Sequence, residues 1–234
     1  MKTAAFIPIK SNSERVKGKN FVELCGRKLY EHIILNVKKA NCFDSIYVDT
    51  DSLEVKDFCD KKGGIFIIER EPRLASNSAN GNDLLNYHGK KFPAYDLYFQ
   101  LFATAPFLKP QTIADCVHKL STTNNFDSIL TVVEEFGWYW VNGVPVNYRP
   151  GVLPRSQDAV PVLKETTGLY GVTKEALNKY RCRIGAKPFF NKVTKVEAID
   201  LDTAEDFKFA NSFGQCMEAE SNLPSPWIYD DECV

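Results

Sequence analysis

Short apolar runs alternate with stretches of helical period along this chain, and that alternation restricts the fold more than any other feature of the sequence. Residues 4–9, Ser45–Thr50, 65–68, 96–102 and 127–133 are strand-sized and rich in β-branched or aromatic side chains. Between them, residues 28–40 place Leu29, Ile33 and Val37 at helical spacing, and residues 112–120 also read as helix. A further helix opens at the capping pair Asp51-Ser52 and stops at Gly63-Gly64. Strand and helix in repeated order predict an α/β fold with a mostly parallel central sheet flanked by helices.

In such a sheet, ligands bind beyond the carboxyl ends of the strands. Residues 10–20 leave the carboxyl end of the first strand and turn abruptly polar and basic. They carry Lys10, Arg15, Lys17 and Lys19, the hydroxyls of Ser11 and Ser13, the amide of Asn12, and one glycine, Gly18. Cations, hydroxyls and backbone N–H groups together suit a polyphosphate. The loop has neither the G-x-x-x-x-G-K-[ST] of a Walker loop nor the G-x-G-x-x-G of dinucleotide folds, so by itself it reads equally as a basic surface loop.

The 234 residues fit one large domain, or one domain with a protruding arm. A net charge of −1 supplies no bulk positive field, and nucleic acid is not an expected partner. No apolar run is long enough to cross a bilayer and the first lacks the flanks of a secretory leader, so the expectation is a cytoplasmic protein with no membrane partner. The seven cysteines are odd in number and include no C-x-x-C pair. That disfavours a disulfide framework or a structural zinc and leaves them as small hydrophobes.

Within the first loop, Ile7-Pro8 followed by Ser13-x-Arg15-x-x-Gly18-Lys19 resembles the N-terminal signature of CMP-3-deoxy-manno-octulosonic acid synthetases. Ser13, Lys19 and Asn20 also match the signature of CMP-sialic acid synthetases. Lys10 stands where both families have Arg, and Glu14 where the second has Lys. Later stretches resemble the sialic acid enzymes. Arg70-Glu71-Pro72-Arg73-Leu74-Ala75 is similar to their R-P-x-x-L-A and leads toward Ala79-Asn80. After the run at 96–102, Thr104 and Pro106 fit L-Q-P-T-S-P-L-R, whereas Phe102, Ala105 and Leu108 replace Gln, Ser and Arg. Arg155, Gln157 and Asp158, then Gly168 and Tyr170, fit P-R-R-Q-D and E-N-G-x-x-Y, with one extra residue before the glycine and Thr167 in place of Asn. Ile199-Asp200-Leu201-Asp202-Thr203-Ala204-Glu205-Asp206-Phe207 reproduces I-D-x-D-T-x-x-D-F in full.

The resemblance implies a Rossmann-like nucleotidyltransferase fold and Mg²⁺-dependent transfer of CMP from CTP to an acidic sugar, with pyrophosphate released. It implies that Lys10, Arg15 and Lys19, with Asp202, carry the catalysis. Ser11, Asn12, Ser13, Lys19, Arg70, Ala79 and Asn80 would meet the nucleotide. Thr104, Arg155, Gln157 and Tyr170 would meet the acceptor, and Asp200 and Asp202 the Mg²⁺. From the residues alone, two carboxylates at i and i+2 at a strand end face one way and could reach one ion. They equally suit a helix start, capped by Asp202 or Thr203 with Glu205 and Asp206 in the first turn. The aromatic stretch 134–170, around the hairpin signal Asn142-Gly143, reads as an arm that covers the site or makes a homodimer contact. Apolar residues at 102, 105 and 108 keep a small phosphonate or phosphate acceptor open, and a non-catalytic nucleotide-sugar-binding homologue is a third reading.

Overall fold

A computed structural model describes residues 1–11, 17–75 and 79–220, with 215–220 by backbone alone. The chain runs β1 (Thr3–Ile9), the β2–β3 hairpin (Glu23–Leu24, Arg27–Lys28), α1 (Leu29–Ala40), β4 (Ser45–Thr50), α2 (Leu53–Lys62), β5 (Phe66–Glu69) and α3 (Pro72–Ala75). It continues through α4 (Gly81–Lys91), β6 (Leu97–Leu101), α5 (Pro110–Thr122), β7 (Ser128–Glu135) and the β8–β9 hairpin (Trp140–Val141, Val144–Pro145). The last elements are β10 (Val162–Thr173), α6 (Lys174–Tyr180), β11 (Pro188–Lys192) and α7 (Ala204–Glu220).

Seven strands form one sheet in the order β11-β7-β10-β6-β1-β4-β5. All run the same way except β10, which is antiparallel to both β6 and β7. The reason for the apolar runs is visible in β1, which is buried on both faces. Ala5, Ile7 and Ile9 pack against Leu29, Ile33 and Val37 of α1 and Ile113 and Val117 of α5. Ala4 and Phe6 pack on the opposite side against Leu85 of α4 and Leu177 of α6. A strand covered on both faces must be apolar at every position, and each large side chain so buried stabilises by about 1.5–3 kcal/mol. Ser52 caps α2 as expected, accepting from the Val55 N–H at 3.4 Å.

The strand order turns around β1, with β4 on one side and β6 on the other. The crevice beyond the carboxyl ends of β1 and β6 is therefore where this topology offers a ligand site.

The stretch 134–170 differs from the expected arm. Glu135 at the end of β7 pairs with Val162 of β10, and Tyr170 pairs across to both Gln100 and Leu130, so both ends of the stretch belong to the central sheet. Residues 136–161 carry the small hairpin, turning at Asn142-Gly143, and expose Trp140, Val141, Val144, Leu153 and Val160. Among the described residues, no helix is long and apolar enough to cross a membrane.

Candidate active site

The first loop is closed at its base. Gly18 takes φ 64°, in the left-handed region that glycine adopts without strain, and the turn sets Lys19–Phe21 as one short 3-10 turn. The buried Asn20 then reaches back, its Nδ2 donating to the Lys10 carbonyl at 2.9 Å. Lys10 itself is half-buried at this base. Ser11 is tied to the end of β4, its N–H and Oγ donating to the Asp51 carboxylate at 2.7 and 2.8 Å. Asn12, Ser13 and Arg15 lie outside the described residues.

With the loop so held, the ammonium of Lys19 turns inward, 13% exposed, and meets Asp202 Oδ1 at 2.8 Å. The two residues are 183 positions apart in sequence. Asp200 and Asp202 do not sit at a strand end, contrary to expectation: residues 193–203 are an irregular link between β11 and α7. What fixes them is the residue between, since Leu201 is buried and its N–H donates to the Thr104 carbonyl at 2.9 Å. The turn after β6 thus carries the carboxylate pair.

The helix-start reading of the same motif is also realised. Asp206 Oδ2 accepts from the N–H groups of Asp202 and Thr203 at 3.0 and 2.6 Å, and Thr203 Oγ1 accepts from the Asp206 N–H at 3.2 Å. Burial pushes the Asp206 carboxyl up, but the Thr203 hydroxyl, which donates to it at 2.8 Å, and the two N–H groups outweigh burial and hold it below the usual carboxylate range.

Asp200 and Asp206 line a cavity of about 630 Å³ together with Glu135, Lys164, Glu165 and Thr167. Asp200 Oδ1 and Thr167 Oγ1 are buried with no hydrogen-bond partner among the described residues. A carboxylate oxygen in that condition suits a cation nearby. No cluster of three or more metal-binding side chains occurs among the described residues, so Asp200 and Asp202 would have to share an ion with ligand oxygens or water. Magnesium is commonly bound in that way.

Other expected site residues stand elsewhere. Arg70 is a core residue: its Nε donates to Asp49 Oδ1 at 2.7 Å and its Nη2 to the Asp49 carbonyl at 2.9 Å, with the side chain 3% exposed. Asp49 accepts from His88 Nε2 as well, at 2.7 Å. Burial alone would raise the Asp49 pKa, but His88 and Arg70 together hold it low. The Asn80 side chain caps α4, accepting from the N–H groups of Asn82 and Asp83, and Ala79 precedes it half-buried. Tyr170 is buried inside β10, and its hydroxyl donates to Glu165; burial first, then that bond, pushes its pKa up. Arg155 pairs with Asp158 at 2.5 Å on the exposed stretch that also bears Gln157, and neither is seen against Lys19 or Asp202 among the described residues. Ala105 and Leu108, read as site positions, are core; Phe102 alone of the three substituted positions is partly open.

Arg183, which lies against Tyr170, had no role in the sequence reading; Asp51, expected to cap the next helix, instead holds Ser11, and Thr167, read only as a replacement for Asn, places its hydroxyl in the cavity wall. No local pattern marks these placements, because the segments that meet there are distant in the chain.

Residues 4–222 match a family model described as cytidylyltransferase. The chain belongs to the cytidylyltransferase family. It is 32% identical to the CMP-N,N'-diacetyllegionaminic acid synthase of Legionella pneumophila, over 88% of this chain and 94% of that one. To the N-acylneuraminate cytidylyltransferase A of Danio rerio it is 25% identical, over 88% of this chain and 49% of that one. The chain spans about half the length of that relative and of the Streptococcus agalactiae N-acylneuraminate cytidylyltransferases. A solved CMP:2-keto-3-deoxy-manno-octonic acid synthetase complexed with CTP superposes over 93% of the chain and all of its own, with TM-score 0.67 at 16% identity. The cytidylyltransferase fold is thus shared at a sequence distance where only the fold can be compared.

Proposed function

We propose that this chain transfers CMP from CTP to a nonulosonic acid sugar and releases pyrophosphate, with Mg²⁺ held by Asp200 and Asp202. The observation that carries the reading is the 2.8 Å contact between Lys19 and Asp202, which joins the loop after β1 to the carboxylate pair beside the cavity. A cavity of about 630 Å³ falls within the ~300–1,000 Å³ usual for small-molecule sites. Relatives named for acylneuraminic, legionaminic and pseudaminic acids support an acidic sugar as acceptor.

In this reaction a sugar hydroxyl oxygen bonds to the α-phosphorus, the bond from that phosphorus to the bridging oxygen breaks, and pyrophosphate leaves with the electron pair. The hydroxyl proton is released to solvent. The protein's task is alignment and charge neutralisation. Lys10 and Lys19 neutralise the triphosphate; Asp202 keeps the Lys19 ammonium aimed, and Asp51 fixes the loop through Ser11. Bound magnesium would supply further charge neutralisation and acidify the acceptor hydroxyl. The phosphonate reading now rests on Phe102, because Ala105 and Leu108 are buried in the core. Exposed Trp140, Val141 and Val144 support a homodimer contact through residues 136–161.

The test is pyrophosphate release with CTP and Mg²⁺ across an N-acylneuraminate, N,N'-diacetyllegionaminic acid, pseudaminic acid, 3-deoxy-manno-octulosonic acid and a small phosphonate. Release is expected with at least one sugar acid, abolished by chelation. Lys19→Ala and Asp202→Ala should each lower kcat/KM on the order of 10²–10³-fold. CTP binding without turnover on any acceptor would instead indicate a binding homologue.

A further inference from the structure

Arg183, on the link between α6 and β11, is a cation that the reaction described above leaves without a use. Its backbone N–H donates to Asn82 Oδ1 at 3.0 Å, tying it to the first turn of α4. Its guanidinium stacks on Tyr170, 3.6 Å from the ring centroid, and stands 5.6 Å from that of Phe102. Stacking of this kind holds a guanidinium flat while leaving its N–H groups directed outward. The nearest carboxylate, Glu165, is 3.9 Å away, beyond hydrogen-bond reach, and the guanidinium makes no hydrogen bond among the described residues. The side chain is 23% exposed. The cation is therefore held in place with donors still to offer.

Gly81 makes the room. A Cβ there would lie 2.5 Å from Arg183 Nη1. Gly81 opens α4 and is not among the glycines of positive φ, so the backbone does not demand glycine at this position. Space for Arg183 is what its missing side chain supplies. Tyr170 connects the cation to the carboxylate pair: its hydroxyl donates to Glu165, which lines the same cavity as Asp200, and the charges of Arg183 and Asp200 both act on it. The cavity wall carries Glu135, Glu165, Asp200 and Asp206 against Lys164 and Lys195. An acidic ligand entering it needs a further positive charge.

We propose that Arg183 anchors the carboxylate of the acceptor sugar acid beside Glu165, at the edge of this cavity, and so selects acids over neutral sugars. This rests on the reading of the chain as a CMP transferase to sugar acids. Because Phe102 has no polar group to offer, the guanidinium stacked beside it becomes the local donor.

The experiment is steady-state kinetics of the full chain with Mg²⁺, varying CTP and, separately, whichever sugar acid of the panel the wild type turns over, and the methyl ester of that acid. Arg183→Gln should raise KM for the acid on the order of 10- to 100-fold, as for a lost charged hydrogen bond, with KM for CTP and the melting temperature unchanged. The ester should be a poor acceptor for the wild type and no poorer for Arg183→Gln. Gly81→Ala, which favours the helix but displaces the guanidinium, should raise KM for the acid in the same direction. An unchanged KM for the acid in Arg183→Gln would overturn the proposal. So would a parallel rise for CTP with a lower melting temperature, which would make Arg183 a staple between β10 and α4. A wild type that turns over no acid brings down the transferase reading and this proposal together, whereas turnover insensitive to Arg183→Gln removes Arg183 alone.

Discussion

Replacing Arg70 by Met separates two readings of one motif. By sequence, Arg70 belongs to a segment resembling nucleotide-contacting residues; in the fold it is ion-paired with Asp49, the two side chains 3% and 0% exposed. Removing one partner of a buried pair leaves an uncompensated charge and costs about 3–5 kcal/mol. In a chain of this size each kcal/mol lowers Tm by about 2–4 °C, so the variant should melt about 6–20 °C below the wild type. Urea or thermal unfolding measures the loss, and CTP kinetics at a temperature where the variant remains folded should show KM within about twofold of wild type, since Arg70 faces Asp49 and not the first loop. Adding Asp49→Asn to Arg70→Met should recover part of the stability, because no buried charge is then left alone. A stability loss below about 1 kcal/mol, far short of a broken buried pair, together with a clear rise in KM for CTP, would refute the core assignment and return Arg70 to the phosphates.

The same cluster sets a pH dependence. His88 is fully buried, its Nε2 donates to Asp49, and its Nδ1 has no partner among the described residues, which fits the neutral ring. Burial lowers its pKa below 6.5 and outweighs the pull of Asp49, while Arg70 and Lys91 act in the same direction as burial. Below about 6.5 the unfolded chain binds a proton there that the folded chain refuses, so stability should fall with pH by up to about 1.4 kcal/mol per unit. Urea denaturation between pH 8 and 5 should show this slope, and His88→Gln should reduce it to the part contributed by His32, which burial also lowers; a slope that His88→Gln leaves unchanged would refute the neutral buried ring. Asp49 and Asp206, held low, should add further losses only below about pH 4. Thr203→Ala removes the hydroxyl that accepts from Asp206, and should cost about 1 kcal/mol, or about 2–4 °C in Tm. Asp206 would still hold the Asp202 N–H, so kcat/KM should fall far less than in Asp202→Ala; an unchanged Tm would show that this cap adds nothing.

What the sequence by itself determined is what depends on near neighbours or on total burial. Strands β1, β4, β6 and β7 read from their apolar runs because a strand covered on both faces has little room for polar side chains. Ser52 and Thr203 read as caps because a cap is satisfied within one turn of its own helix. Lys19 and Asp200-x-Asp202 stand out as a charged set because side-chain charge is a local property. The tertiary structure alone decided which of these groups meet. β10 escaped notice because Lys164 to Thr167 interrupt any apolar run, and it is a strand because β7 and β6 supply hydrogen bonds on either side. Arg70 and Tyr170 became core residues because their surroundings come from elsewhere: Asp49 lies 21 residues before Arg70, and Arg183 stacks on Tyr170 from beyond the end of β10. A charged or phenolic side chain carries no local mark of whether it will face water or a buried partner. That choice is made only when distant segments pack, as they do where Lys19 reaches Asp202.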